Sequence, residues 1–145
     1  MKENRYYDFA ENDYFFISSS LEKGFYASCL AVMCQQTCER FLKQIVVDHI
    51  AENKSNTEEY QNILKSHSIT ELADFIKKYL SDFDIPSVVT AADGFYGKTD
   101  YPGEGSFLAT KEDIEACWEA TKVCKSCVDK YIGSHSQITD GFGTQ

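Results

Sequence analysis

Arginine and proline are nearly missing from this chain. Arg5 and Arg40 are the only arginines, and Pro86 and Pro102 the only prolines, among 145 residues. Cations are scarce as a class, with Lys+Arg 14 against Asp+Glu 23 and a net charge of -9. A protein that holds nucleic acid by neutralising phosphates needs the opposite balance, and no basic run is present, so nucleic acid is not an expected partner. A long apolar run is also lacking. The longest charge-free stretch of helical character, Gly24–Cys38, is too short to span a bilayer and contains Gln35 and Gln36. The amino terminus, Met1-Lys-Glu-Asn-Arg-Tyr-Tyr-Asp, has no apolar segment of signal-peptide type. The six cysteines therefore read as reduced thiols of a cytoplasmic protein, not as a disulfide framework. Strand signals are confined to Val88-Val89-Thr90.

What is present is a globular composition, 43% hydrophobic and 14% aromatic, on a chain of single-domain size. The apolar period is helical nearly throughout. A first helix is expected from Tyr6 to Leu21, with Phe9, Tyr14, Phe16, Ile17 and Leu21 apolar, ending at Glu22-Lys23-Gly24. A second runs from Phe25 to about Glu52. Its apolar face holds Leu30, Ala31, Cys34, Cys38, Phe41, Leu42 and Ile45; Gln36, Arg40 and Lys43 fall opposite, with Glu39 beside them. Asn53–Glu59 reads as a polar connection. Ser68-Ile-Thr-Glu71 has capping-box spacing ahead of Leu72, Phe75, Ile76 and Leu80. Pro86 suits the start of a fourth, shorter helix toward Tyr96, and Gly97–Ala109 reads as a loop. Thr110-Lys-Glu-Asp113 opens the last helix, which carries Ile114, Cys117, Trp118, Thr121, Cys124, Val128 and Ile132 inward and stops at Gly133. Residues 134–145 read as a poorly ordered tail. The expected fold is all-α, an up-and-down bundle of about five helices.

In this arrangement the chain resembles the HEPN domain, the helical nucleotide-binding domain of prokaryotes and higher eukaryotes. Gly24 and Tyr26 match its Gly-x-Tyr entry, and Gln36, Glu39 and Lys43 its Gln-x-x-Glu-x-x-x-Lys pattern. His67-Ser68-Ile69 and Leu72 match its His and following short helix. Tyr96 with Asp100-Tyr101-Pro102 stands where the family has a Tyr and an Arg-Tyr-Pro loop, and Thr110, Asp113, Ala116 and Ala120 match the final helix. The likeness covers about residues 6–132. It implies ligand-binding positions at Gln36, Glu39, Lys43, His67, Tyr96, Lys98, Asp100 and Tyr101. It also implies a nucleotide as ligand, a separate minimal nucleotidyltransferase as partner in a toxin–antitoxin type of pair, and a homodimer.

Two departures count against the ribonuclease activity ascribed to many members. Their Arg, four to six residues, then His is missing: Arg5 has no nearby histidine, and Arg40 lies nine positions before His49. The loop arginine is replaced by Asp100, which leaves Lys98 as the nearest cation. Both changes remove charge that would steady a scissile phosphate. The expectation is a non-catalytic binding module, with a divergent metal-independent ribonuclease as the alternative. A helical metal protein is the third class, since Cys34, Cys38, Cys117 and Cys124 fall on facing helices. Their apolar setting favours packing instead. Cys124-Lys-Ser-Cys127 sits late in its helix, without the dipole that activates a thiol at an N-terminus. No cofactor and no metal are expected.

Overall fold

The computed structural model describes residues 5–50, 57–99 and 102–135. They form α1 (Tyr6–Glu22), α2 (Cys29–His49), α3 (Glu58–Leu64), α4 (Ile69–Tyr79), a 3-10 helix (Ser87–Ala92) and α5 (Lys111–His135). No strand occurs among the described residues. The fold is an all-α bundle organised around α2, which packs against α1 and α5 along its length and against α4 and the 3-10 helix.

The caps show why the helices begin where they do. Thr110 and Asp113 form a reciprocal box: the Asp113 amide donates to Thr110 Oγ1 at 3.1 Å, and the Thr110 amide to Asp113 Oδ2 at 2.9 Å. Ser68 Oγ accepts from the Glu71 amide at 3.1 Å. The return half of that box is relayed: the Glu71 carboxylate accepts from Ser66 Oγ at 2.8 Å, and Ser66 Oγ accepts from the Ser68 amide at 3.0 Å. Four boundaries differ from those expected. The second helix begins at Cys29, not Phe25, because Gly24 turns with φ +81° and Ser28 Oγ is engaged by the Ala109 amide at 2.8 Å. A seven-residue helix, Glu58–Leu64, stands where a connection was expected, started by Thr57 Oγ1 accepting from the Tyr60 amide. Val88-Val89-Thr90 is 3-10 helix, and that helix ends at Ala92, short of Tyr96. Finally, α5 runs through Gly133 to His135. Its last turn is pinned where Asp82 accepts from Tyr131 Oη at 3.2 Å and meets His135 Nε2 at 2.9 Å.

Cys34, Cys38, Ile45, Cys117 and Cys124 are wholly buried between α2 and α5, with Trp118 half-buried against the Tyr14 ring. The thiols are packed, not activated. Burial pushes the Cys117 thiol up to about 12 and the Cys34 thiol higher still. Cys124 is raised first by its hydrogen bond to Cys38 and then by burial. Among the described residues no group of three or more His, Cys, Asp or Glu is placed to hold a metal ion. Phe9 and Phe16, apolar positions of this helix, are more than half exposed, whereas Ala10 and Ile17 are buried. The apolar stripe of α1 is thus narrower than the spacing of its aromatics suggested.

Candidate functional site

On α2, Gln35, Glu39 and Lys43 follow one another at i, i+4 and i+8, so their side chains leave one face of the helix. A charged stripe of this kind normally faces water. Here it is buried, at 1%, 3% and 6% exposure respectively. The placement of Glu39 and Lys43 on a solvated face is therefore corrected: α4 and the turn after the 3-10 helix cover that side.

Gln35 uses every hydrogen-bonding position of its amide. Its Oε1 accepts from the backbone amides of Phe95 at 2.7 Å and Tyr96 at 2.8 Å. Its Nε2 donates to the His67 carbonyl at 2.6 Å and to Asp93 Oδ1 at 3.3 Å. One side chain therefore fixes His67, two residues before α4, and the turn beyond the 3-10 helix relative to each other. Gly94, at φ +89°, gives that turn a backbone conformation that side-chain-bearing residues disfavour. It lets Asp93 point at α4 while the next two amides point at Gln35.

Asp93 takes the donors of the first turn of α4. Its Oδ1 accepts from the Ile69 amide at 3.1 Å, and its Oδ2 from the Thr70 amide at 3.0 Å and Thr70 Oγ1 at 2.9 Å. A carboxylate at a helix N-terminus meets both the unpaired amides and the positive end of the dipole.

His67 is held from two sides. Its Nδ1 lies 3.1 Å from Glu39 Oε1, and its ring stacks on that of Tyr96 with centroids 3.8 Å apart and planes 10° from parallel. An ionised carboxylate only accepts, so in this contact the His67 Nδ1–H is the donor to Glu39. Burial raises the Glu39 carboxyl above its ordinary range, against the opposing pull of His67, Lys43 and Gln35. Burial also lowers the Lys43 ammonium, against the pull of Glu39. Glu39 Oε2 is buried with no hydrogen-bond partner among the described residues.

Above these groups lies an open pocket of about 440 Å³ lined by Gln35, His67, Ser68, Asp93, Tyr96 and Lys98. Larger hollows lie between α3 and α4, about 600 Å³, and between α1 and α2, about 560 Å³. The first is lined mainly by Glu58, Glu59, Glu71 and Asp74; in the second, the two arginines are paired to Asp8 and Asp13. Neither joins a ring platform to a cation that has no ion-pair partner among the described residues, as the smaller pocket does. Lys98 there is exposed, on a turn fixed by the Phe107 amide donating to its carbonyl at 2.9 Å.

Of the positions expected to bind ligand, His67, Tyr96 and Lys98 come together at this pocket, with Glu39 directly behind His67. Lys43 lies one turn further along the buried stripe. Gln36 is half-buried and does not line the pocket; its neighbour Gln35 does. Asp100 and Tyr101 lie outside the described residues. The residues missed are Gln35 and Asp93. The i, i+4, i+8 relation to Glu39 and Lys43 singles out Gln35, and the Asp93-Gly94 pair is a turn signal, but no spacing in the sequence joins the two.

In a comparison with family models, the HEPN domain matches residues 4–131. Comparison with curated proteins and with solved structures gives no match.

Proposed function

The chain belongs to the HEPN domain family, and on that premise we propose that it is a non-catalytic binding module whose ligand is a nucleotide. The observation that carries this reading is the stacked His67–Tyr96 pair at the mouth of a pocket that also holds Lys98. A base stacks on an aromatic face at small entropic cost, since Glu39 holds the His67 ring, Tyr96 stacks on it and Gln35 fixes the backbone of both. Lys98 supplies the charge for a phosphate. The module acts with a separate polypeptide, such as a minimal nucleotidyltransferase, in the manner of a toxin–antitoxin pair. The test is calorimetric titration of the purified chain with AMP. Tyr96→Ala is expected to weaken binding by roughly tenfold, the value of one base–aromatic stack. Unchanged affinity in that variant would remove the pocket from the account.

One observation favours the second reading, a divergent metal-independent ribonuclease. Glu39 orients His67 as a carboxylate orients a general base. Beside this dyad, however, stand the Asp93 carboxylate and one lysine, with no second fixed donor among the described residues to hold a phosphorane charge. Incubated with single-stranded RNA in EDTA, the chain is expected to yield no products. Cleavage abolished by His67→Ala would replace the binding reading with the enzymatic one.

The same module is proposed to pair with a second copy through α1. Phe9, Phe15 and Phe16 are 53%, 58% and 57% exposed on this helix. Burying such side chains is worth about 1.5–3 kcal/mol each. The repulsion from a net charge of -9 is screened beyond roughly 8 Å at physiological salt. Light scattering at micromolar concentration is expected to give twice 16.5 kDa, and Phe16→Asp the monomer mass.

A further inference from the structure

The N-terminus of α4 opens beside the pocket, where a phosphate group would find backbone amides and the positive end of a helix dipole. In this chain that position is filled from within. The Ile69 and Thr70 amides donate to Asp93, and the Glu71 amide donates to Ser68 Oγ. Gln35 Nε2 also points at Asp93 Oδ1. No donor of the first turn is left for a ligand, and the occupant is a carboxylate. Among the described lining residues, the side chains not committed to that cap are Lys98, His67 and Tyr96. A single phosphate is met by Lys98, the Nδ1–H of His67 being given to Glu39. Each further phosphate would lie against Asp93, with Glu39 behind His67 and no added cation to answer it.

We infer that Asp93 is the specificity-determining residue of this pocket: it occupies the anion position at the start of α4 and restricts the ligand to nucleosides bearing a single phosphate, rejecting triphosphates. This inference rests on the nucleotide-binding reading given above. It makes Asp93 both a structural cap and a selectivity device. Asparagine at this position removes the charge and keeps one acceptor oxygen for the cap, while its amide nitrogen faces the donors of the other oxygen.

Adenosine, AMP and ATP are titrated in EDTA into the full chain and into Asp93→Asn, with circular dichroism confirming that the variant folds. For the unmodified chain, AMP is expected to bind more tightly than adenosine and roughly tenfold or more tightly than ATP. Lys98→Ala brings AMP down to the level of adenosine. In Asp93→Asn the preference for AMP over ATP shrinks several-fold, chiefly through a gain for ATP. Binding of ATP to the unmodified chain as tight as that of AMP overturns the inference alone, and this result needs no variant to fold. A folded Asp93→Asn with an unchanged AMP-to-ATP ratio does the same. Absence of binding by all three overturns the nucleotide reading together with the inference.

Discussion

Gln35→Ala is expected to destabilise the protein by about 2–4 kcal/mol, read as a fall of about 10 °C in Tm, and to abolish AMP binding. The size of the effect follows from what the truncation leaves behind. The Phe95 and Tyr96 amides lose their acceptor, and the His67 carbonyl and Asp93 lose a donor. An unsatisfied buried backbone group costs about 1–3 kcal/mol, partly recovered where water enters. Gln35→Glu separates bracing from simple filling of space. It keeps an acceptor for the two amides but turns a second carboxylate oxygen toward Asp93 and the His67 carbonyl. Its stability should therefore improve on acidification, as the new carboxyl takes up a proton and regains a donor. Calorimetric melting of the two variants measures both effects. A Gln35→Ala protein that melts within a degree or two of the parent would show that the turn after the 3-10 helix does not depend on this side chain.

The second large effect concerns the buried charges. Glu39 and Lys43 are both desolvated, and each is the charge that opposes the other's shift. They stand one turn apart in the favourable order on α2. Lys43→Met removes the cation and leaves Glu39 with its contact to His67. A loss of about 1–3 kcal/mol at neutral pH is expected, toward the lower end of what breaking a buried pair costs, because His67 remains. The double variant Glu39→Gln/Lys43→Met is expected to recover most of it. The pH dependence has a definite sign. A carboxyl whose folded-state pKa is raised binds its proton more tightly when folded. Its contribution to stability is full below the unfolded value and is lost as pH rises through the folded value. The Lys43→Met deficit should therefore shrink as pH is lowered from neutral toward the ordinary carboxylate range, and the double variant should show no such slope. Urea unfolding of the parent, both single variants and the double variant across that range tests it. A deficit that grows on acidification would mean that Glu39 gains, not loses, by being charged.

Much of the bundle is legible in the sequence because it rests on strong local signals. The Thr110–Asp113 cap, the Ser68–Glu71 spacing and the cysteine-rich apolar stripes of α2 and α5 each specify their element without help from elsewhere. The errors arise where tertiary contacts override local pattern. Phe25 and Tyr26 continue an apolar run, yet the helix waits until Cys29 because Ser28 is tied to Ala109. Gly133 looks like a stop, yet α5 continues because Asp82 holds Tyr131 and His135. The site follows the same division. His67, Tyr96 and Lys98 are identifiable from the order of family-like residues along the chain. The choice between Gln35 and Gln36 is a shift of one residue, about 100° around α2, and what lies opposite decides it. Asp93 reaches α4 from 24 residues away from Ile69, through a turn with no helical period to announce it.

The pocket formed by Gln35, His67, Tyr96 and Lys98 is proposed as the place where this domain takes its ligand. Its most direct test is a two-dimensional amide NMR titration of the isotope-labelled chain with AMP. The account predicts saturable shifts concentrated at residues 67–71 and 93–98, with the α1–α2 hollow around Arg5 and Arg40 unmoved. Shifts centred on that hollow, or none at millimolar AMP, would contradict it.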